Sequence, residues 1–241
     1  MKHTPLTSIA CALTLTLGSA SLTAATISIN FVGNTNLNNV GADSPTSIVG
    51  LNGVQAQDWV NLAGTSATDA DIDGASGSAT ISFSTNWRFN TGGTSGTENH
   101  NMMDGAIRLG GTGDSAPVIS NLGTDFTSSG YDVYVYFGSD SHNRVHRFTL
   151  TPTGDSTSNN SGTENLTQAY NGAFTETNAD GDVGNYLVFR GITASEFTLS
   201  DNGTSPGKPG VAGIEIVAVP EPSLSLLLGL GGFSLTLRRR R

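Results

Sequence analysis

The chain is expected to be all-β, a single jelly-roll β-sandwich of two antiparallel sheets, on two observations. Thr26-Ile27-Ser28-Ile29-Asn30-Phe31 and Thr80-Ile81-Ser82-Phe83-Ser84 alternate apolar and polar residues, the period-two pattern of a strand with one buried face. Turn segments rich in Gly, Asn, Ser and Asp separate such stretches, and none has the period of a long amphipathic helix. About eight short strands in one domain must hide their apolar faces in two packed layers. The 241 residues, 36% hydrophobic with 31 Gly and 13% charged, supply one core once the two ends are set aside.

The first segment, 1–25, reads as a secretory signal. Lys2 and His3 form its short polar start, 9–17 a Thr-interrupted apolar stretch, and Thr23-Ala24-Ala25 the small residues that signal peptidase needs, with cleavage expected after Ala25. Cys11 leaves with this segment, so the mature chain has no cysteine and thiol chemistry is excluded. Residues 26–219 carry six basic side chains (Arg88, Arg108, Arg144, Arg147, Arg190, Lys208) against 19 acidic ones, all 20 of the chain less Glu221, a balance of −13. Such a domain repels nucleic acid and anionic lipid and attracts cations.

The domain, 26–218, continues with expected strands at 118–122, 131–138, 144–151, 186–190, 196–200 and 211–217. Tyr131-Asp132-Val133-Tyr134-Val135-Tyr136-Phe137 is apolar on both faces and suits a central strand. Phe197 with Leu199, and Ile214 with Ile216, alternate as outer strands do. Residues 90–103, rich in Gly, Thr and Asn, read as a long loop.

The last segment, 219–241, begins Val219-Pro220-Glu221-Pro222, where two prolines stop the preceding strand. Leu224 to Leu237 is an apolar run of 14 residues without a charge, closed by Arg238, Arg239, Arg240 and Arg241. Spanning hydrocarbon takes about 20 residues, and snorkelling arginine stems extend the reach, so the run reads as a short transmembrane helix acting as a transient inner-membrane anchor. The arginines orient it with the domain outward.

These three parts in this order resemble the PEP-CTERM sorting signal of Gram-negative bacteria. The resemblance implies export, tethering by the tail, and cutting near Pro220-Glu221-Pro222 by an exosortase, followed by delivery to the cell surface or an exopolysaccharide matrix. A second resemblance rests on Ile29-Asn30-Phe31, Gly130 to Tyr136, Asn185 to Phe189 and Gly213-Ile214-Glu215-Ile216-Val217. These look like the galactose-binding-like and malectin-like jelly rolls, which implies that the first and last strands lie together.

Four candidate sites follow. Asp69-Ala70-Asp71-Ile72-Asp73-Gly74 matches the first half of a calcium loop, with oxygens at alternate positions and a glycine for the turn. Its twelfth position is Thr80 where a bidentate Glu belongs, so Asp69, Asp71 and Asp73 would need ligands from elsewhere; calcium is the one cofactor the sequence suggests. Asn178-Ala179-Asp180-Gly181-Asp182 is a second oxygen-rich turn, of the kind that caps its own backbone. His142 and His146 lack the Glu of a zinc helix, and His146 reads as a buried, hydrogen-bonded histidine. Trp59 and Trp87, each beside Asn, Gln, Asp or Arg, are the platforms on which a sugar ring would stack, set against the simpler reading of core plugs.

Nucleophile elbows, phosphate loops and dinucleotide fingerprints are absent from the sequence, and pairs among 19 acids are too numerous to identify a catalytic couple. The expectation is an exported envelope or matrix protein, not an enzyme, that binds carbohydrate or serves as a structural component. The alternative is a hydrolase or lyase acting on polysaccharide from the same fold.

Overall fold

The computed structural model describes residues 24–33, 40, 48–72, 78–91, 97–139, 144–154, 159–160, 165–167, 170–179, 181–202 and 209–220. The elements run β1 (Thr26–Phe31), β2 (Trp59–Leu62), β3 (Ser66–Asp71), β4 (Thr80–Ser84), β5 (Arg88–Asn90), α1 (Glu98–Asp104) and β6 (Gly105–Arg108). They continue with β7 (Ser115–Ser120), α2 (Thr124–Thr127), β8 (Tyr131–Ser139), β9 (Val145–His146), β10 (Phe148–Pro152) and β11 (Asn159–Asn160). The last are β12 (Asn165–Thr167), β13 (Val183–Gly184), β14 (Tyr186–Ile192), β15 (Phe197–Asp201) and β16 (Pro209–Ala218).

Two main sheets enclose the core. The first runs β14-β8-β16-β1-β2, with β6 on β16 and β5 on β6; the second runs β11-β10-β15-β7-β4-β3. A small third sheet joins β13, β12 and β9. Ile27, Ile29, Val133, Val135, Phe137, Ile214 and Ile216 from the first sheet meet Ile81, Ile119, Phe148, Leu150, Phe197 and Leu199 from the second. All of these are shielded from solvent, as the period-two pattern requires.

The first and last strands do lie together, with Thr26 opposite Val217 and Asn30 opposite Gly213 in antiparallel register. The sheets are not purely antiparallel, however: β2 pairs parallel to β1, from Ser28 opposite Trp59 to Phe31 opposite Leu62. A parallel neighbour needs a crossover, and 32–58 supplies it.

Strand β16 is central rather than outer. It pairs with β8 along its whole length and shares its other edge between β1 and β6. Its outward positions hold Gly213, Glu215 and Val217, so its alternation mimics a half-exposed strand. Those positions are covered by a second cluster: Val49, Trp59, Met102, Met103, Tyr134, Tyr136 and Tyr186, with Tyr170 and Phe174 packed against it.

Part of this cover comes from α1, in the stretch expected to be a loop. Thr97 caps the helix by accepting from the His100 N–H, and Met102 and Met103 turn inward. Among the described residues no helix is long and apolar enough to cross a membrane. The apolar run 224–237, the arginines Arg238 to Arg241, and Glu221 and Pro222 lie outside the described residues, as does the signal segment up to 23.

Candidate functional site

Trp87 follows β4 and precedes β5 in a tight turn, and it is 45% exposed. Its backbone is held on both sides: its N–H donates to the Thr85 hydroxyl and its carbonyl accepts from the Arg108 N–H. The Thr85 hydroxyl in turn donates to the Arg108 carbonyl at 2.8 Å, so β4, the turn and β6 form one unit.

Beneath the turn sits the Asp114 carboxylate, only 2% exposed. It accepts from the Asn86 N–H at 2.8 Å, the Gly111 N–H at 2.8 Å and Arg108 Nε at 3.1 Å. Burial pushes this carboxyl up, but the Arg108 hydrogen bond, the two backbone donors and the Arg108 charge outweigh it and hold it below the usual carboxylate range. A Cβ at Gly111 would meet the Arg108 guanidinium and the Asp114 carboxylate, so a side chain there would have to displace one of them. Asn86 Nδ2 donates to the Thr112 carbonyl, and Arg88 Nη1 to the Ala63 carbonyl. The result is an exposed tryptophan on a locked backbone, flanked in the chain by the exposed Asn86 and the half-buried Arg88.

Trp59 has the opposite environment. It is 7% exposed, and its Nε1–H points to the carbonyls of Val49 and Ala56, each at 3.2 Å. It plugs the cover of the outer face and offers no ring face to solvent, which corrects the expectation of a second platform.

Next to it lies a buried carboxyl that sequence reasoning passed over as part of a strand motif. Across the sheet, Ser28 stands opposite both Trp59 and Glu215, and Glu215 opposite Tyr134. Glu215 is fully buried and its Oε2 accepts from the Tyr136 hydroxyl at 2.7 Å. That hydroxyl accepts from the Leu51 N–H at 3.0 Å, and the Gly50 N–H donates to Asn99 of α1. Gly50 has a φ of +111°, and a Cβ there would stand 2.9 Å from Glu215 Oε2. Burial, only partly opposed by the Tyr136 hydrogen bond, pushes Glu215 up to about 8. The neutral form is therefore favoured at pH 7, and the side chain is shielded from solvent.

Asp69 and Asp71 belong to edge strand β3, with a bulge between Ala67 and Ala70, and Asp69 Oδ1 accepts from the Ser82 hydroxyl. Asp73 lies outside the described residues, among which no group of three His, Cys, Asp or Glu is placed to hold a metal. Asp182 caps its own turn, accepting from the Asn178 and Ala179 N–H groups. His146 is buried, stacked on Phe148, with Nδ1 at 2.7 Å from Asp201 Oδ2. His142 lies outside the described residues, and His100 packs edge-on against Tyr170 over the outer face.

At the chain's end, Ala218 and Val219 remain bonded to the sheet and Pro220 is exposed. Residues 218–241 match the PEP-CTERM protein-sorting motif. The motif covers a tenth of the chain and supports exosortase-dependent export and sorting to the cell surface. No curated protein and no solved structure matches the chain.

Proposed function

We propose that this protein is an exported β-sandwich of the jelly-roll kind that binds carbohydrate at the Trp87 turn after delivery to the cell surface or an exopolysaccharide matrix. The observation that carries the reading is the exposed Trp87 on a backbone fixed by Asp114 and Thr85, with Asn86 and Arg88 on either side of it in the chain. A flat ring held in advance stacks on the apolar face of a pyranose at little entropic cost, and the polar neighbours reach its hydroxyls. The placement suits a surface role. Arg108 pairs with Gly210 at one end of β16 and the sorting tail leaves from Ala218 at the other. Eight residues of strand separate the two by roughly 26 Å, so the tail does not obstruct the turn.

The test is affinity chromatography on the host's exopolysaccharide. Wild-type domain should be retained and Trp87→Ala should flow through, with melting temperature nearly unchanged because a half-exposed ring contributes little to the core. Equal retention of both proteins would sink the reading. New reducing or unsaturated ends accumulating during incubation would replace it with a polysaccharide hydrolase or lyase.

A further inference from the structure

Asparagine is a thermolabile residue, and most of all before glycine, which has no side chain to keep its backbone nitrogen away from the neighbouring amide. Two Asn-Gly pairs lie wholly within the described residues, Asn52-Gly53 and Asn171-Gly172. Asn52-Gly53 forms the tip of a hairpin over 49–56. At its base Val49 and Ala56 exchange both backbone hydrogen bonds at 2.9 Å, and near its tip the Val54 N–H donates to the Leu51 carbonyl at 3.1 Å. Gly53 takes the third position of that turn with a φ of +99°, and nothing lies within 4 Å of where its Cβ would stand. Asn52 and Gly53 are both exposed, and the Asn52 side chain makes no hydrogen bond among the described residues. Asn171 differs, because its Oδ1 accepts from the Ala173 N–H at 3.2 Å, which ties the amide down.

The hairpin is also part of the cover over the outer face. Its Val49 and Ala56 carbonyls face the Trp59 Nε1–H, and its Leu51 N–H donates to the Tyr136 hydroxyl. The Gly50 N–H ties it to Asn99 of α1. Leu51 adjoins Asn52, so any change in the main chain at 52 falls next to the Tyr136 tie.

We propose that Asn52 is a self-modification site, where the Gly53 nitrogen attacks the side-chain amide carbon, and that the aspartate or isoaspartate formed loosens the hairpin over Trp59. A bond forms between Gly53 N and Asn52 Cγ, the Cγ–Nδ2 bond breaks, and ammonia leaves with the proton of the glycine N–H, closing a succinimide ring. Water then opens the ring. Attack at Cγ restores the original main chain and leaves aspartate, whereas attack at the main-chain carbonyl leaves isoaspartate, whose main chain detours through Cβ and Cγ. Either product exchanges an amide NH2 for a carboxylate oxygen, places a negative charge on the turn and consumes only water.

Peptide mapping by mass spectrometry, on purified protein held at neutral pH and sampled over time, reads the site. The mass gain of amide-to-acid conversion should appear in the peptide carrying Asn52 ahead of the peptide carrying Asn171, with isoaspartate among the products. Acrylamide quenching of Trp59 reads the hairpin, in Trp87→Phe so that no other tryptophan contributes. Quenching should rise as conversion proceeds and stay flat in the Trp87→Phe, Asn52→Gln double variant, whose longer side chain forms the ring far less readily. An unchanged Asn52 peptide, or conversion at Asn171 first, overturns the site. Conversion at Asn52 with unchanged Trp59 quenching overturns the loosening.

Discussion

Asp114 and Glu215 are both shielded carboxyls beside a tryptophan, and the fold treats them in opposite ways. Asp114 lies under the Trp87 turn with two backbone donors and the Arg108 guanidinium around it, which keeps it ionised. Glu215 faces a cover of aromatic and aliphatic side chains with one hydroxyl donor, which favours its neutral form. Burial acts in the same direction on both, and the donors together with the Arg108 charge decide the outcome. The ionised group anchors a turn whose indole reaches solvent. The neutral one joins a lid to a sheet whose indole does not.

The largest expected effect comes from pH. The pKa of Glu215 is raised on folding, so its contribution to stability is complete below its ordinary value of 4.5 and is lost as pH rises towards about 8. Urea unfolding of wild type should lose up to about 1.4 kcal/mol per pH unit across that window relative to Glu215→Gln. Parallel curves for the two proteins would show that Glu215 is ionised in the fold. A smaller loss, about 2 kcal/mol at neutral pH, is expected for Tyr136→Phe, which strips the Leu51 N–H of its acceptor and Glu215 of its donor. Thermal melts measure it.

Asp114→Asn should cost less, about 1 kcal/mol, because the turn lies at the surface, yet retention on exopolysaccharide should drop as the Asn86 and Gly111 anchors loosen. The pH sign is reversed here. Asp114 contributes above its ordinary value of 3.8, and the contribution fades as pH falls through its lowered folded value, so retention should fail in acid. Smallest of all is Arg190→Gln. Arg190 is 58% exposed in its pairs with Asp132 and Glu176, so its removal should shift stability by at most about 0.5 kcal/mol.

The contrast also shows what could be read in the sequence. Strands β1, β4, β8, β14 and β15 were legible because their apolar residues recur at period two or fill both faces. Strands β2 and β6, four residues each, are too short to establish a period. The centrality of β16 was hidden because Gly213 and Glu215 look solvated, whereas the cover that buries them comes from residues far away in the chain. Helix α1 was masked by Asn, His and Asp, weak helix formers whose burial of Met102 and Met103 depends on tertiary contact. Trp87 is legible as a candidate from its polar neighbours Asn86 and Arg88. Asp114, in Gly110-Gly111-Thr112-Gly113-Asp114, reads as one more solvated turn, and only the fold brings it beneath Asn86.

The central claim is that ligand meets Trp87 and not Trp59. The chain has two tryptophans, so their fluorescence separates the two regions directly. Acrylamide should quench an exposed population from Trp87 and leave Trp59 protected, and adding host exopolysaccharide should shield the exposed population alone. In Trp87→Phe the polysaccharide should change nothing. Quenching in wild type that is unaffected by polysaccharide, or shielding that survives in Trp87→Phe, would contradict the account.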